Sequence, residues 1–239
     1  MEEETGYKVV NLGLHVSFGP YFITELAKAN INPGDIVVLA YENSWQCRFK
    51  KTEQSLCMAG IDDHIEMYKY LPPELWREFL GQILNFAETK ANHADVPSSD
   101  IYNRYVFDQD TLQMTLERNQ MEYNPDIHGG FYYEDITMEI TDETIDYLKD
   151  FKNYVESRGA SVYFTVPPVA EESLFFEHEL FYDMVNNEEE LIGIPFISDP
   201  LDYIFTSDLM FDSMYHCNRD GEIKRTELLV NDLKIAGAI

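Results

Sequence analysis

The residues whose types and spacing suit chemistry lie near the carboxyl end, in Phe211-Asp212-Ser213-Met214-Tyr215-His216-Cys217-Asn218-Arg219-Asp220-Gly221. Asp212 and His216 stand four positions apart in a short loop, ahead of a helical pattern carrying Ile223, Thr226, Leu229 or Val230, and Leu233 on one face. A carboxylate beside an imidazole fixes its tautomer and makes it a base. That is two thirds of a hydrolytic triad, and the third member is a nucleophile. The same stretch has a second reading. His216, Asn218, Asp220, Gly221, Ile223 and Glu227 follow the ligand spacing of a calcium loop, with a histidine where an aspartate should open it. An imidazole is a poor ligand for a hard ion, and the chain holds no second copy of the pattern.

The search for a nucleophile leads to Ser17, in His15-Val16-Ser17-Phe18-Gly19, between an expected strand and an expected helix. A nucleophile elbow needs glycine two positions before the serine so that the backbone can make its strained turn, and His15 stands there. Ser17 therefore reads as a helix-start serine, and His15 as a residue lining a pocket. Asn43, just past the second expected strand, is placed to donate a hydrogen bond to an oxyanion, or is an ordinary turn asparagine. Glu42 and Asp212 would make a carboxylate pair if the fold brought them together. His64, His93, His128 and His178 have no metal-like spacing. Cys47, Cys57 and Cys217 are scattered and contain no C-x-x-C, so no disulfide framework, zinc site, other metal or cofactor is expected.

The elements that must position these residues read as α/β. Tyr7 to Leu14 is an apolar run ending around Gly13, expected as a buried strand. Pro20 opens a helix with Phe22, Ile23, Leu26 and Ala27 as its stripe, Pro33-Gly34-Asp35 is a turn, and Ile36 to Ala40 is a second strand. Strand, helix and strand within ~35 residues form a βαβ unit with parallel strands, whose ligands sit beyond the strands' carboxyl ends. Gly13, His15, Ser17, Glu42 and Asn43 would then share one mouth. Residues 46–71 read as irregular with short helices, and Pro72-Pro73 opens a helix with Leu75, Phe79, Ile83 and Phe86 inward. Residues 91–130 read as an insertion over a sheet edge, with a hairpin in 102–116. Thr141 caps a helix with Ile145, Leu148, Phe151 and Val155 inward and Gly159 at its end. Ala160 to Val166 is a third strand, residues 171–190 an acidic helix, and Pro195 to Ser198 a short fourth strand. No boundary is evident, so the expectation is one domain over residues 1–239.

Bulk composition narrows the function classes. The net charge is -27, with 44 acidic against 17 Lys plus Arg side chains, which argues against binding a nucleic-acid backbone. The 16 Tyr and 15 Phe supply apolar surface to bury, so the charge is a solvated face rather than a sign of disorder. No apolar run is long enough to cross a bilayer, and the acidic start Met1-Glu2-Glu3-Glu4 does not resemble a signal peptide. As written, the chain is expected in the cytoplasm. The sequence leaves the oligomeric state open.

Four passages, in order, resemble the SGNH (GDSL-like) hydrolase superfamily, in its bacterial branch similar to cell-surface O-acylation proteins. They are Val9-Val10-Asn11-Leu12-Gly13-Leu14-His15, Pro33-Gly34-Asp35-Ile36-Val37-Val38-Leu39, Val162-Tyr163-Phe164-Thr165-Val166-Pro167-Pro168 and Phe211 to Gly221. The resemblance implies a three-layer, flavodoxin-like fold with a mainly parallel sheet. It implies an esterase or O-acyltransferase acting on acylated glycans or surface polymers, whose intact members are membrane-anchored or extracytoplasmic. It assigns His216 as base with Asp212 behind it, and Gly13 and, more loosely, Asn43 to the oxyanion hole. Two departures stand out. The acid is one position further from the histidine than the family's Asp-x-x-His, and Ser213 occupies the usual acid position. The family also places a Gly-x-Ser nucleophile on a strand upstream of the segment matched by Val9 to Leu14, and no serine precedes Val9 here. The expectation is therefore a chain lacking its first strand and its nucleophile, inactive as it stands, or a non-catalytic binding or assembly protein of the same fold. A calcium-binding interaction protein is the third reading.

Overall fold

A computed structural model describes residues 1–42, 45–62, 64–92, 108 and 114–239. In chain order its elements are helices α1 (Glu2–Thr5) and α2 (Gly19–Lys28), strand β1 (Ile36–Leu39), helices α3 (Trp45–Arg48), α4 (Gln54–Gly60), α5 (Trp76–Ala91) and α6 (Pro125–His128), strand β2 (Phe131–Tyr132), helices α7 (Tyr133–Ile136) and α8 (Asp142–Ser157), strands β3 (Ser161–Phe164), β4 (Val169–Ala170) and β5 (Leu174–Phe175), helix α9 (Leu180–Ile192), strand β6 (Ile204–Phe205) and helix α10 (Arg219–Ile235). Where the sequence shows no boundary, the chain divides into two compact units. The first takes Met1–Asn11, Lys28–Cys47 and Arg118–Ile239, the second Leu12–Ala27 and Arg48–Glu117. Half of the expected insertion and most of the expected hairpin lie outside the described residues. No described helix is long and apolar enough to cross a membrane.

The first unit is α/β, with its described strands paired in parallel as β1-β3, β2-β5 and β4-β6. The β1 run Ile-Val-Val-Leu is β-branched in its first three residues and follows a turn at Gly34, whose φ of 86° suits glycine. It pairs with β3 in the register Ile36↔Ser161 to Leu39↔Phe164. Gly34 N–H donates to Gly159 O at 2.8 Å and Ser161 N–H to Asp35 O at 3.0 Å, which closes the start of the pair. Thr165 N–H donates to Leu39 O at 2.9 Å and closes its end. β3 also bridges Phe196, and the Phe164 and Phe196 rings stack at 4.8 Å. That bridge is all that forms of the expected fourth strand.

Helix α8 follows its sequence signals. The Thr141 hydroxyl accepts from Thr144 N–H, Asp142 and Glu143 occupy the first turn, and Leu148, Phe151 and Val155 are wholly buried. It packs on β3 and α9. Helix α9 starts at Leu180 rather than Glu171. Leu174 and Phe175 are instead drawn into pairing with Phe131 and Tyr132, where the Phe175 and Tyr132 rings stack at 4.8 Å. In α10, Leu229, Val230 and Leu233 face inward, but Ile223, expected on that stripe, is exposed. Buried Asp232 takes a place on the inner face because the Tyr203 hydroxyl donates to it at 2.8 Å.

The largest departure is at the front. Tyr7 to Leu14 forms no strand, and Tyr7, Val9, Val10 and Leu14 are exposed. A strand needs a neighbour for its backbone groups, and none of the described strands pairs with this segment. Val9 N–H is met instead by the Glu2 carboxylate at 2.6 Å. Among the described residues β1 therefore lacks its expected βαβ partner and pairs with β3 alone.

The second unit is helical. Gly19 opens α2 with φ 72°, and a Cβ there would sit 2.2 Å from Lys51 O, so no other residue fits. Phe18, Phe22, Cys57, Met58, Ile61, Leu71 and Phe79 form its core. Residues 46–71 carry short helices, as their pattern predicts: the end of α3, whose residues up to Cys47 belong to the first unit, then α4 and a 3-10 turn (Ile65–Tyr70), after which the proline pair leads through a 3-10 turn (Pro73–Leu75) into α5. Of the α5 stripe Phe79 is buried, whereas Ile83 stays 42% exposed. Trp76, Phe79, Leu80, Ile83 and Phe86 line an apolar trough of about 500 Å³ that ends at the ion pair of Lys90 with Asp62.

Candidate functional site

The loop before α10 is built by backbone ties. Met210 and Cys217 bridge antiparallel, and Phe211 N–H donates to His216 O at 2.8 Å. Within the loop, the Ser213 hydroxyl accepts from Tyr215 N–H at 3.3 Å and His216 N–H at 3.2 Å. Ser213, which stands where the resembled family keeps its acid, thus shapes the turn. Two further ties strap the loop down: Met214 N–H to His128 O at 3.2 Å and Ala170 N–H to Met214 O at 2.9 Å. Asn218 closes it. Its side-chain oxygen accepts from Asp220 and Gly221 N–H, both at 3.1 Å, while its amide donates to Asp208 O at 2.6 Å. A Cβ on Gly221 would meet Leu209 O at 2.2 Å, which accounts for the glycine.

This scaffold brings Asp212 and His216 together, with Nδ1 of the imidazole 2.8 Å from a carboxylate oxygen. A carboxylate can accept but not donate, so it holds the proton on Nδ1 and makes Nε2 the basic nitrogen of the neutral ring. Burial by itself pushes the His216 pKa down. The hydrogen bond and charge of Asp212, and the charge of Glu42, outweigh it and leave the imidazole a stronger base than usual. The His216 side chain is 43% exposed and that of Asp212 21%, so the pair can be reached from solvent. The arrangement suits accepting a proton from a hydroxyl or water and returning it to a leaving group.

Gly13 and His15 belong to the second unit, and Asp212, His216 and Glu42 to the first. Gly13 is exposed on irregular backbone. His15 caps the 3-10 turn Val16–Phe18, with Nδ1 3.2 Å from Ser17 N and 3.0 Å from Ser17 Oγ. Ser17 itself is buried at that helix start. Asn43 lies outside the described residues. Cys57 and Cys217 are free and buried, and burial pushes their thiols up to about 12 and about 11, which leaves neither as a ready thiolate nucleophile. Helix α10 begins at Arg219, so Asp220 to Glu227 climb a helix rather than encircle an ion. Among the described residues no three of His, Cys, Asp and Glu are grouped to hold a metal.

No family model, curated protein or solved structure matches the chain.

Glu42, a candidate for a carboxylate pair with Asp212, bears on His216 instead, where its charge helps to raise the imidazole pKa. Its position just past the end of β1, at the carboxyl edge of a parallel pair, was the available signal. A second polar cluster, Gln46 with Glu188, gave no sequence signal at all.

Proposed function

We propose that this chain carries the acid–base half of an SGNH-type serine hydrolase or O-acyltransferase site, in a flavodoxin-like three-layer fold, with acylated glycans or surface polymers as the substrate class. The observation that carries the reading is the 2.8 Å contact between His216 Nδ1 and Asp212, in a solvent-reachable loop directly ahead of the last helix. The parallel pairing of β1 with β3 supports it. In this chemistry a serine hydroxyl attacks the acyl carbonyl while its proton passes to His216 Nε2. The acyl–serine bond forms as the ester C–O bond breaks, and the same proton is returned to the departing alcohol oxygen. Asp212 remains ionised throughout and stabilises the imidazolium.

The expected result for this chain by itself is the absence of serine-dependent turnover. Hydrolysis of p-nitrophenyl acetate should match that of a His216→Ala variant. A rate well above that variant would show that a nucleophile is present after all. The base itself is tested by histidine NMR: Nδ1 should keep its proton while Nε2 titrates, and loss of that pattern would remove the reading's support. Joining to this chain any in-frame segment upstream of Met1 that ends a strand in Gly-x-Ser should restore ester cleavage. A stop codon there would favour a binding or assembly role.

A further inference from the structure

The first unit contains a buried carboxyl that the chemistry above does not use. Glu188 lies on the inner face of α9 and is 3% exposed, and Gln46, on α3, is 2% exposed. Gln46 Nε2 donates to Glu188 Oε1 at 2.6 Å, across 142 residues of chain. The amide oxygen of Gln46 is buried too, and no donor reaches it among the described residues. A buried acceptor without a donor is a standing penalty. A carboxylate cannot relieve it, because it has no hydrogen to give, whereas a protonated carboxyl can.

The surroundings point the same way. Glu188 lines a small cavity together with Tyr41, Trp45, Thr165, Met184 and Phe196, and no other charged side chain lines it. On its own helix, Glu189 is occupied by Phe196 N–H at 2.8 Å. On α8, Lys152 donates to Gly193 O at 2.5 Å and pairs with Glu156. Burial pushes the Glu188 carboxyl up, Gln46 opposes this only in part, and no charge contributes. The cavity beside it measures about 10 Å³, room for at most one water. An ionised carboxylate cannot gather a hydration shell there, so it must leave to be solvated.

We propose that Glu188 and Gln46 form a protonation-sensitive latch: the protonated carboxyl bonds the carboxamide and holds the Trp45 turn against α9, and loss of the proton releases the turn. Trp45 reports the event directly, since its ring stacks on Phe164 at 5.9 Å when the latch is closed. The turn also holds Glu42, because Trp45 N–H donates to Glu42 O at 3.2 Å. Opening therefore changes the field on His216, a consequence that rests on the proposed role of that residue, whereas the latch itself does not.

The test uses the full chain with Trp76→Phe, which leaves Trp45 as its one tryptophan. As pH rises, Trp45 emission should move to longer wavelength with a midpoint near 7, and adding Glu188→Gln should hold it at the short-wavelength position throughout. Difference infrared spectroscopy at about pH 6, where ordinary carboxyls are ionised, should show a protonated carboxyl band that Glu188→Gln abolishes. Absence of that band from the parent chain overturns the proposal, as does the same fluorescence transition in the variant. Should Glu188→Gln fail to fold, the infrared titration of the parent chain decides by itself: the band must disappear through the same midpoint.

Discussion

Replacing Glu188 by Gln removes an ionisable group while keeping its shape, so the effect on stability can be worked out from the burial of the site. Glu188 moves from an ordinary 4.5 to about 7 in the folded chain. The folded state then holds a proton that the unfolded state has released between those values. Its contribution to stability is fully present below 4.5 and is lost as pH rises through 7. At 1.36 kcal/mol per pKa unit, the loss is about 3 kcal/mol. Little of this is screened by solvent, because the group is 3% exposed. The assay is urea unfolding of parent and Glu188→Gln chains, followed through Trp45 in a Trp76→Phe background, from about pH 4.5 to 8.5. Taking the difference between the two chains cancels the titration of the other acidic groups. The variant should gain relative to the parent as pH rises, by about 3 kcal/mol overall. A pH-independent difference, or one growing in the opposite sense, would refute the reasoning.

Three further outcomes follow from the same structure. Asp212→Asn should lower the His216 pKa, read by NMR, because burial then acts with the hydrogen-bonded charge gone. Since a raised imidazole stabilises below its unfolded value and ceases to do so as pH climbs, this variant should lose more stability in mild acid than in mild alkali. Asn218→Ala should cost about 1–2 kcal/mol in urea unfolding, because it removes the α10 cap and the tie to Asp208 O. In hydrogen exchange, the Ile36 and Val38 amides should exchange much faster than those of Val37 and Leu39. Ser161 and Thr165 donate to Asp35 and Leu39, so the odd-numbered residues face β3 and the even ones face an edge with no described partner.

Helix α8 was legible from sequence because everything that defines it is local: the Thr141 cap, the four- and three-residue apolar steps and the stop at Gly159. The Asp212–His216 pair was legible because both residues stand in one short loop, where a turn of the kind Ser213 makes can bring groups four positions apart into contact. The start of α9 was not. Glu171 to Phe176 has a helix-compatible pattern, but the pull of Phe131 and Tyr132, some forty residues earlier, placed Leu174 and Phe175 in a strand pair. Tyr7 to Leu14 shows the reverse case, an apolar run whose composition asks for a strand that no described neighbour completes.

The sequence by itself determined that apolar runs at Ile36–Leu39 and Ser161–Phe164 would be strands, that α8 and α10 would be helices, and that an acid and an imidazole would stand together ahead of α10. These depend on short-range preferences and on contacts a few residues apart. The tertiary structure decided that β1 would pair with β3, that the Glu42 charge would bear on His216 and that Gln46 would find Glu188. Each joins groups more than a hundred residues apart. Local composition carries no distance information at that range, so the choice falls to the packing of the whole unit.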